Sequence, residues 1–469
     1  MATNGHLGTY GPEGHPSSLS AREAPPQPCP FYKTGFPVLS NPKIDLQSHV
    51  VSYRFLLHRE WEYHECRSKY HESRKCPWTW IELALLRGTR SFGYLAGRSR
   101  HLGRTKPVKI AFTYNSTRRH VTEEYLSDTF IPGSIVHFDL DLFRPNISVF
   151  QLLEIARRHN QIPDALAHVH TPGLPHDLTL APLPTVSLDI DSYGWTESRI
   201  RWSMLFDYVF VWHLSHVPLY RAAGHPQVFA FPHAVDARLF GGDNSTATRP
   251  LDLGWIGEIR YGQYARRRRI IESLATQFKM NDFRKRHTKA ELVDVYSHCK
   301  IVVNVSRDDF PQDANMRCYE GMAGGALLIT GMPTELTEWG FSEGTHFVGW
   351  RTEAEIPELV NYYLHHEKER TRIACCGQEL TLSNFTYQHC RDKMIAMLQE
   401  HQGQLSAPAR SWPAEDIGLA YLEYYYRYQL LDAALEEFRK LREANPRAYR
   451  EGLPMVLKTM RHVLGRSLF

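Results

Sequence analysis

The sequence predicts an α/β chain of two domains, each on a parallel, doubly wound sheet. Three observations carry this. Short apolar runs alternate with helical patterns, as in parallel sheets. The chain has 469 residues, more than one core supports, which suits two such domains with additions at both ends. The segment 299–333 reads as a complete strand–loop–helix–strand unit.

Taken in order, residues 1–37 form a Pro-rich arm expected to be disordered. Residues 38–105 read as a helical, aromatic extension containing Trp61, Trp78 and Trp80. A first sheet domain spans 106–240, with strands expected at 109–112, 135–140, 165–170, 185–189, 207–212 and 228–231 and a helix at 149–159. A second sheet domain spans 241–405, with strands near Leu253, Ile301, Ala326 and His346. A linker at 406–413 leads into a helical tail, 412–469. There Tyr425, Ala434, Phe438 and Pro446 fall at the spacing of one tetratricopeptide repeat. A single copy predicts a small helical cap rather than a solenoid, since a stable array takes about three repeats. Its helices remain a possible protein contact.

Hydrophobic content of 42% and charged content of 23% are ordinary for a globular chain. Net charge of +4, with bases mostly interleaved with acids, argues against a nucleic-acid partner. No run approaches the roughly 20 apolar residues of a membrane span. The amino terminus lacks a basic-then-apolar signal pattern, and eight scattered cysteines fit a reducing compartment, so a cytoplasmic location is expected. A P-loop is absent, which argues against an ATPase. The first strand is followed by no Gly-x-Gly-x-x-Gly, which argues against a dehydrogenase.

The unit at 299–333 carries the chemistry. Its first strand ends in a polar loop, and ligands bind at the carboxyl ends of strands in open α/β sheets. The helix that begins at Met316 offers free N–H groups and a positive dipole end to a diphosphate. Arg317 can neutralise phosphate, and a carboxylate on the same helix, Glu320, can accept from a ribose diol. Gly324-Gly325 stops the helix. The run Arg266 to Arg269 reads either as a solvated helix start or as the source of one phosphate-facing arginine.

These residues resemble the nucleotide-sugar motif of GT-B glycosyltransferases, in the form Asn315-x-Arg317-x-x-Glu320-x-x-Ala323-x-Gly325-x-x-Leu328-Ile329-Thr330. The likeness is nearest to the spore-maturation-protein type of the glycosyl transferases group 1 clan. Phe231 to Asp236, containing His233, resembles the segment joining the two GT-B domains. Leu253 to Arg260 resembles the opening strand and Gly-containing loop of the donor domain. The resemblance covers roughly 106–398. It implies two Rossmann-like domains facing a cleft, transfer of a hexosyl group from a nucleoside-diphosphate sugar, most naturally a UDP-sugar, and no metal or other cofactor. It implies that Glu320 holds the ribose hydroxyls. Gly257, Glu258, Arg260, Asn315, Arg317 and His233 are the expected donor contacts, with Asn115 over the transferred sugar. Relatives carry two glutamates separated by seven residues; here the first position is Gln312, with Asp313 beside it. That departure leaves a non-catalytic binding protein of the same fold as the alternative. An epimerase of this architecture has no residue in its favour. The acceptor is open: a metabolite, a glycan or a protein.

Three groups compete for the role of base. His170 ends the strand at 165–170 and sits either in the cleft or on a solvent loop. Asp189 and Asp191 end the next strand, where they either act as or orient a base, or give way to a helix cap through Ser192 or Thr196. Asp139-x-Asp141 alternates with apolar residues as ordinary patterning. The His64, Cys66, His71 and Cys76 spacings do not match zinc pairs.

Overall fold

A computed structural model describes residues 108–115, 125–130, 134–140, 147–169, 172–240 and 248–467. The arm, the aromatic extension with its His/Cys segment, Asp141 and His170 lie outside the described residues.

Apolar runs form strands where they were expected. The first sheet holds β1 (Ile110–Tyr114), β2 (Ile135–Asp139), β3 (Ala165–Val169), β4 (Thr185–Asp189), β5 (Tyr208–Val211) and β6 (Val228–Ala230). Its order is β2-β1-β3-β4-β5-β6, and every pairing is parallel. Its helices include α1 (Val149–Arg158), α2 (Thr196–Ser203) and α3 (Val217–Ala222). Ser148 and Gln151 close a capping box on α1, satisfying two of its orphan N–H groups.

A short helix, α4 (Ala237–Phe240), precedes the second sheet. That sheet holds β7 (Leu251–Gly254), β8 (Cys299–Asn304), β9 (Leu327–Gly331) and β10 (Val348–Trp350), all parallel in the order β10-β9-β8-β7. Its helices are α5 (Ala265–Ala275), α6 (Lys289–His298), α7 (Met316–Ala323), α8 (Glu355–His365) and α9 (Glu367–Asn384). Helix α7 ends at the glycine pair, as expected. A Cβ on Gly324 would lie 2.7 Å from the Tyr296 backbone, so only glycine lets α7 close on α6. Two parallel sheets, each wrapped by helices, give the chain the GT-B architecture.

The chain then returns to its first half. Helix α10 (Tyr387–Glu400) packs Tyr387, Cys390, Met394 and Leu398 against Ile110, Phe112 and Phe210 of the first sheet. Lys393 Nζ reaches the Ala230 carbonyl at 2.6 Å. The second domain as drawn from sequence, 241–405, thus includes a helix that belongs physically to the first core. The tail, α11 (Ala414–Tyr428), α12 (Leu431–Ala444) and α13 (Pro446–Ser467), shares a core with Leu166, Trp202 and Phe206 of the first domain. Tyr424 Oη lies 2.9 Å from His168 Nε2, and Tyr425 Oη lies 3.0 Å from His176 Nε2. Buried rings with satisfied polar ends bind the cap to the first domain. Among the described residues no helix is long and apolar enough to cross a membrane.

Candidate functional site

The site is built at the carboxyl ends of β7, β8 and β9. The last residue of β8, Asn304, is fully buried and acts as its hub. Its amide nitrogen donates to Thr330 Oγ1 at 3.0 Å and Ser306 Oγ at 3.1 Å. Its Oδ1 accepts from Asn315 Nδ2 at 3.1 Å and Arg317 Nη1 at 2.7 Å. Asn315 occupies the N-cap position of α7 but spends its side chain on Asn304. The first helical N–H groups are thereby left uncapped by that side chain.

Arg317 is held on three sides. Its Nε donates to the Ile256 carbonyl at 2.8 Å, its Nη1 to Asn304, and its guanidinium lies 4.6 Å over the Trp255 ring. Gly257 makes this possible: a Cβ there would stand 2.2 Å from Arg317 Nη2. From the arginine run, Arg267 is the buried member. It donates to the Val305 and Glu258 carbonyls at 2.8 and 3.1 Å. Arg266 and Arg269 instead pair with Glu353. Burial first, and the neighbouring Arg317 charge second, push Arg267 down to about 10. Two guanidiniums that repel each other in a buried corner, bonded to neutral oxygens, form a site prepared for an anion.

Glu320 lies one turn along α7 from Arg317. It is 6% exposed, and its carboxylate accepts no hydrogen bond among the described residues. Burial pushes it up to about 7, with Arg317 pulling in the opposite direction. A buried carboxylate that accepts no hydrogen bond among the described residues is costly until a donor reaches it.

The first domain contributes His213, which follows β5. Its Nδ1 lies 2.9 Å from Glu335 Oε2, a residue placed after β9 in the opposite domain. Ser215 Oγ reaches the other oxygen at 3.4 Å. Asp313 completes the cluster: one donor atom from each of His213, Asp313 and Glu335 lies within 4.8 Å of the others, a spacing able to take a metal ion. His213 Nε2 and Asp313 Oδ1 are buried without hydrogen-bond partners among the described residues. Burial alone would lower the imidazole, but the Glu335 hydrogen bond and the charges of Asp313 and Asp191 outweigh it and leave His213 raised. Burial drives Asp313 up to about 6; His213 opposes this, while Asp191 and Glu335 add to it.

The residues expected from sequence divide. Gly257, Asn315, Arg317 and Glu320 converge, and His233, buried, lies 6.2 Å from the His213 ring and 6.4 Å from Tyr319. Asn115 is buried at the end of β1. Glu258 and Arg260 pair with each other on their own loop at 2.7 Å, and Arg260 is 69% exposed. Asp189 is 0% exposed and engaged by Arg199 and Tyr220. Arg199 also donates to the Ile190 and Gly194 carbonyls at 2.8 and 2.6 Å. Asp189 therefore anchors α2 and α3 to β4, and its oxygens are already taken. Asp191 is exposed, with a left-handed φ of 57°. Sequence reading passed over Asn304, His213 and Glu335. Asn304 carried one signal, as a polar residue within an apolar strand.

Residues 251–396 match the protein family described as glycosyl transferase-like. No curated protein matches the chain. Among solved structures it is similar to Anabaena HepE in complex with UDP, at 14% identity over 62% of this chain and 100% of that one, with a TM-score of 0.45. It is similar to a glycosyltransferase from Rickettsia africae, at 9% identity over 64% and 100%, TM-score 0.46. It is also similar to sucrose-phosphate synthase from Thermosynechococcus elongatus, at 11% identity over 62% and 98%, TM-score 0.44.

Proposed function

We propose that the chain transfers a hexosyl group from a nucleoside-diphosphate sugar, UDP-linked in the first instance, to a hydroxyl acceptor. One observation carries this reading: the unpartnered, buried Glu320 stands one helical turn from the Arg317–Arg267 pair. Glu320 accepts from the ribose hydroxyls. Arg317, Arg267 and the amino end of α7 take the diphosphate and hold the charge that builds on it as the sugar leaves. Gly257 keeps Arg317 close to the loop after β7. The departure at Gln312 favours the binding-protein alternative only if no carboxylate stands there, and Asp313, buried beside it, supplies one. The test is release of diphosphate from a panel of UDP-, GDP- and dTDP-sugars. Turnover of one class, with the matching diphosphate competing, is expected. Tight nucleotide binding with no turnover of any donor would leave the binding protein.

A further inference from the structure

We propose that His213, oriented across the cleft by Glu335, takes the proton from the acceptor hydroxyl; the assignment rests on the transfer reading above. The imidazole follows β5 in the first domain, and its Nδ1 is tied to a carboxylate of the second, 122 residues away. A base held at one ring nitrogen by a carboxylate presents the other nitrogen to its substrate. That other nitrogen, Nε2, has no partner among the described residues, and the residue is 0% exposed. A buried polar atom left unpaired calls for a ligand, and it stands beside a second one on Asp313. Asp313 Oδ1, unpaired in the same cluster, is placed to accept from a sugar hydroxyl.

The surroundings fit a sugar. Tyr193 and Phe310 stack at 4.9 Å, and their rings lie 5.2 and 4.7 Å from His213. An acceptor that reaches Nε2 must displace part of the buried wall around it, of which the Phe310 ring, in the loop between β8 and α7, is one member. In the step, the acceptor O–H proton passes to Nε2 and the oxygen bonds to the anomeric carbon. The bond from that carbon to the diphosphate oxygen breaks, and its electron pair leaves on the diphosphate, beside Arg317 and Arg267. The proton then passes to water. Glu335 is a positioning residue. Among the described residues, the ionisable groups facing the ring are Glu335 and Asp313 from the second domain and Asp191, Tyr193, His216 and His233 from the first.

The experiment follows UDP-glucose hydrolysis against pH, with water as acceptor, in the wild type, His213→Gln and Glu335→Gln. UDP titrated into each by calorimetry reports whether the nucleotide site is intact. His213→Gln is expected to lower kcat by about 10²- to 10⁴-fold, as loss of a positioned base does. UDP affinity should hold, and the rise of rate with pH should disappear. Glu335→Gln should keep that rise but move it to lower pH, because the carboxylate that raises the imidazole is gone. A His213→Gln chain with wild-type turnover and an unchanged acid limb overturns the assignment. So does a wild type that binds UDP but hydrolyses no UDP-glucose. A divalent ion bound stoichiometrically by the three side chains, with turnover lost in EDTA, overturns it in favour of a metal site. Failure of the wild type to bind UDP, GDP or dTDP breaks the nucleotide reading itself, and the acceptor role falls with it.

Discussion

Asp189 and Glu320 are both buried carboxylates at the working ends of the two sheets, and they live in opposite circumstances. Asp189 closes β4 in the first domain and is saturated by Arg199 and Tyr220. Glu320 projects from α7 in the second domain and accepts no hydrogen bond among the described residues. Burial is alike, at 0% and 6%. What separates them is pairing. A paired buried charge secures packing, whereas an unpaired one costs stability until something binds.

The sharpest way to break this comparison is to remove the charge at Asp189. Asp189→Asn leaves the Arg199 guanidinium buried without its counter-charge. Breaking a buried pair in this way costs about 3–5 kcal/mol. Urea unfolding should show that loss, and a loss under 1 kcal/mol would end the anchoring role.

Glu320→Gln should act in the opposite direction. The folded carboxyl sits near 7, above its ordinary value of 4.5. The stability linked to its proton is therefore fully present below 4.5 and lost as pH rises through 7. The variant should match the wild type at pH 4.5 and exceed it at pH 8 by about 3 kcal/mol. Unfolding curves at the two pH values check the sign; a variant less stable at pH 8 would show that Glu320 has partners in the folded chain.

The smallest effect belongs to Arg260. Its exposed pair with Glu258 should contribute under about 1 kcal/mol. Arg260→Ala should leave stability almost unchanged and nucleotide affinity within about threefold. A larger loss of affinity would mean that the loop rearranges to bring Arg260 to the phosphates.

How far all this was legible in the sequence depended on distance along the chain. The strands could be read because each is a short apolar run, and α7 because a glycine pair ends it. Arg317 and Glu320 lie on one helix one turn apart, so a local pattern reveals them. Asp189 misled because its partners, 10 and 31 residues away, leave no local trace. Which member of the arginine run turns inward is set by the register of α5 against β8, which composition does not encode. The His213, Asp313 and Glu335 cluster joins three segments and both domains, so no spacing announces it. The return of α10 and the tail to the first core is likewise a tertiary event: their apolar faces name no partner.

Glu320 is the residue on which nucleotide binding turns most directly, and UDP affinity as a function of pH tests its role. Deprotonation strengthens the carboxylate as an acceptor, and charge-assisted hydrogen bonds are worth about 1.5–3 kcal/mol. Wild-type affinity should therefore tighten between pH 6 and 8 beyond what the phosphate's own ionisation gives. Glu320→Gln should bind about tenfold or more weakly at pH 8 and lose the extra dependence. Two parallel curves with equal affinities would remove Glu320 from the ribose and contradict the central claim.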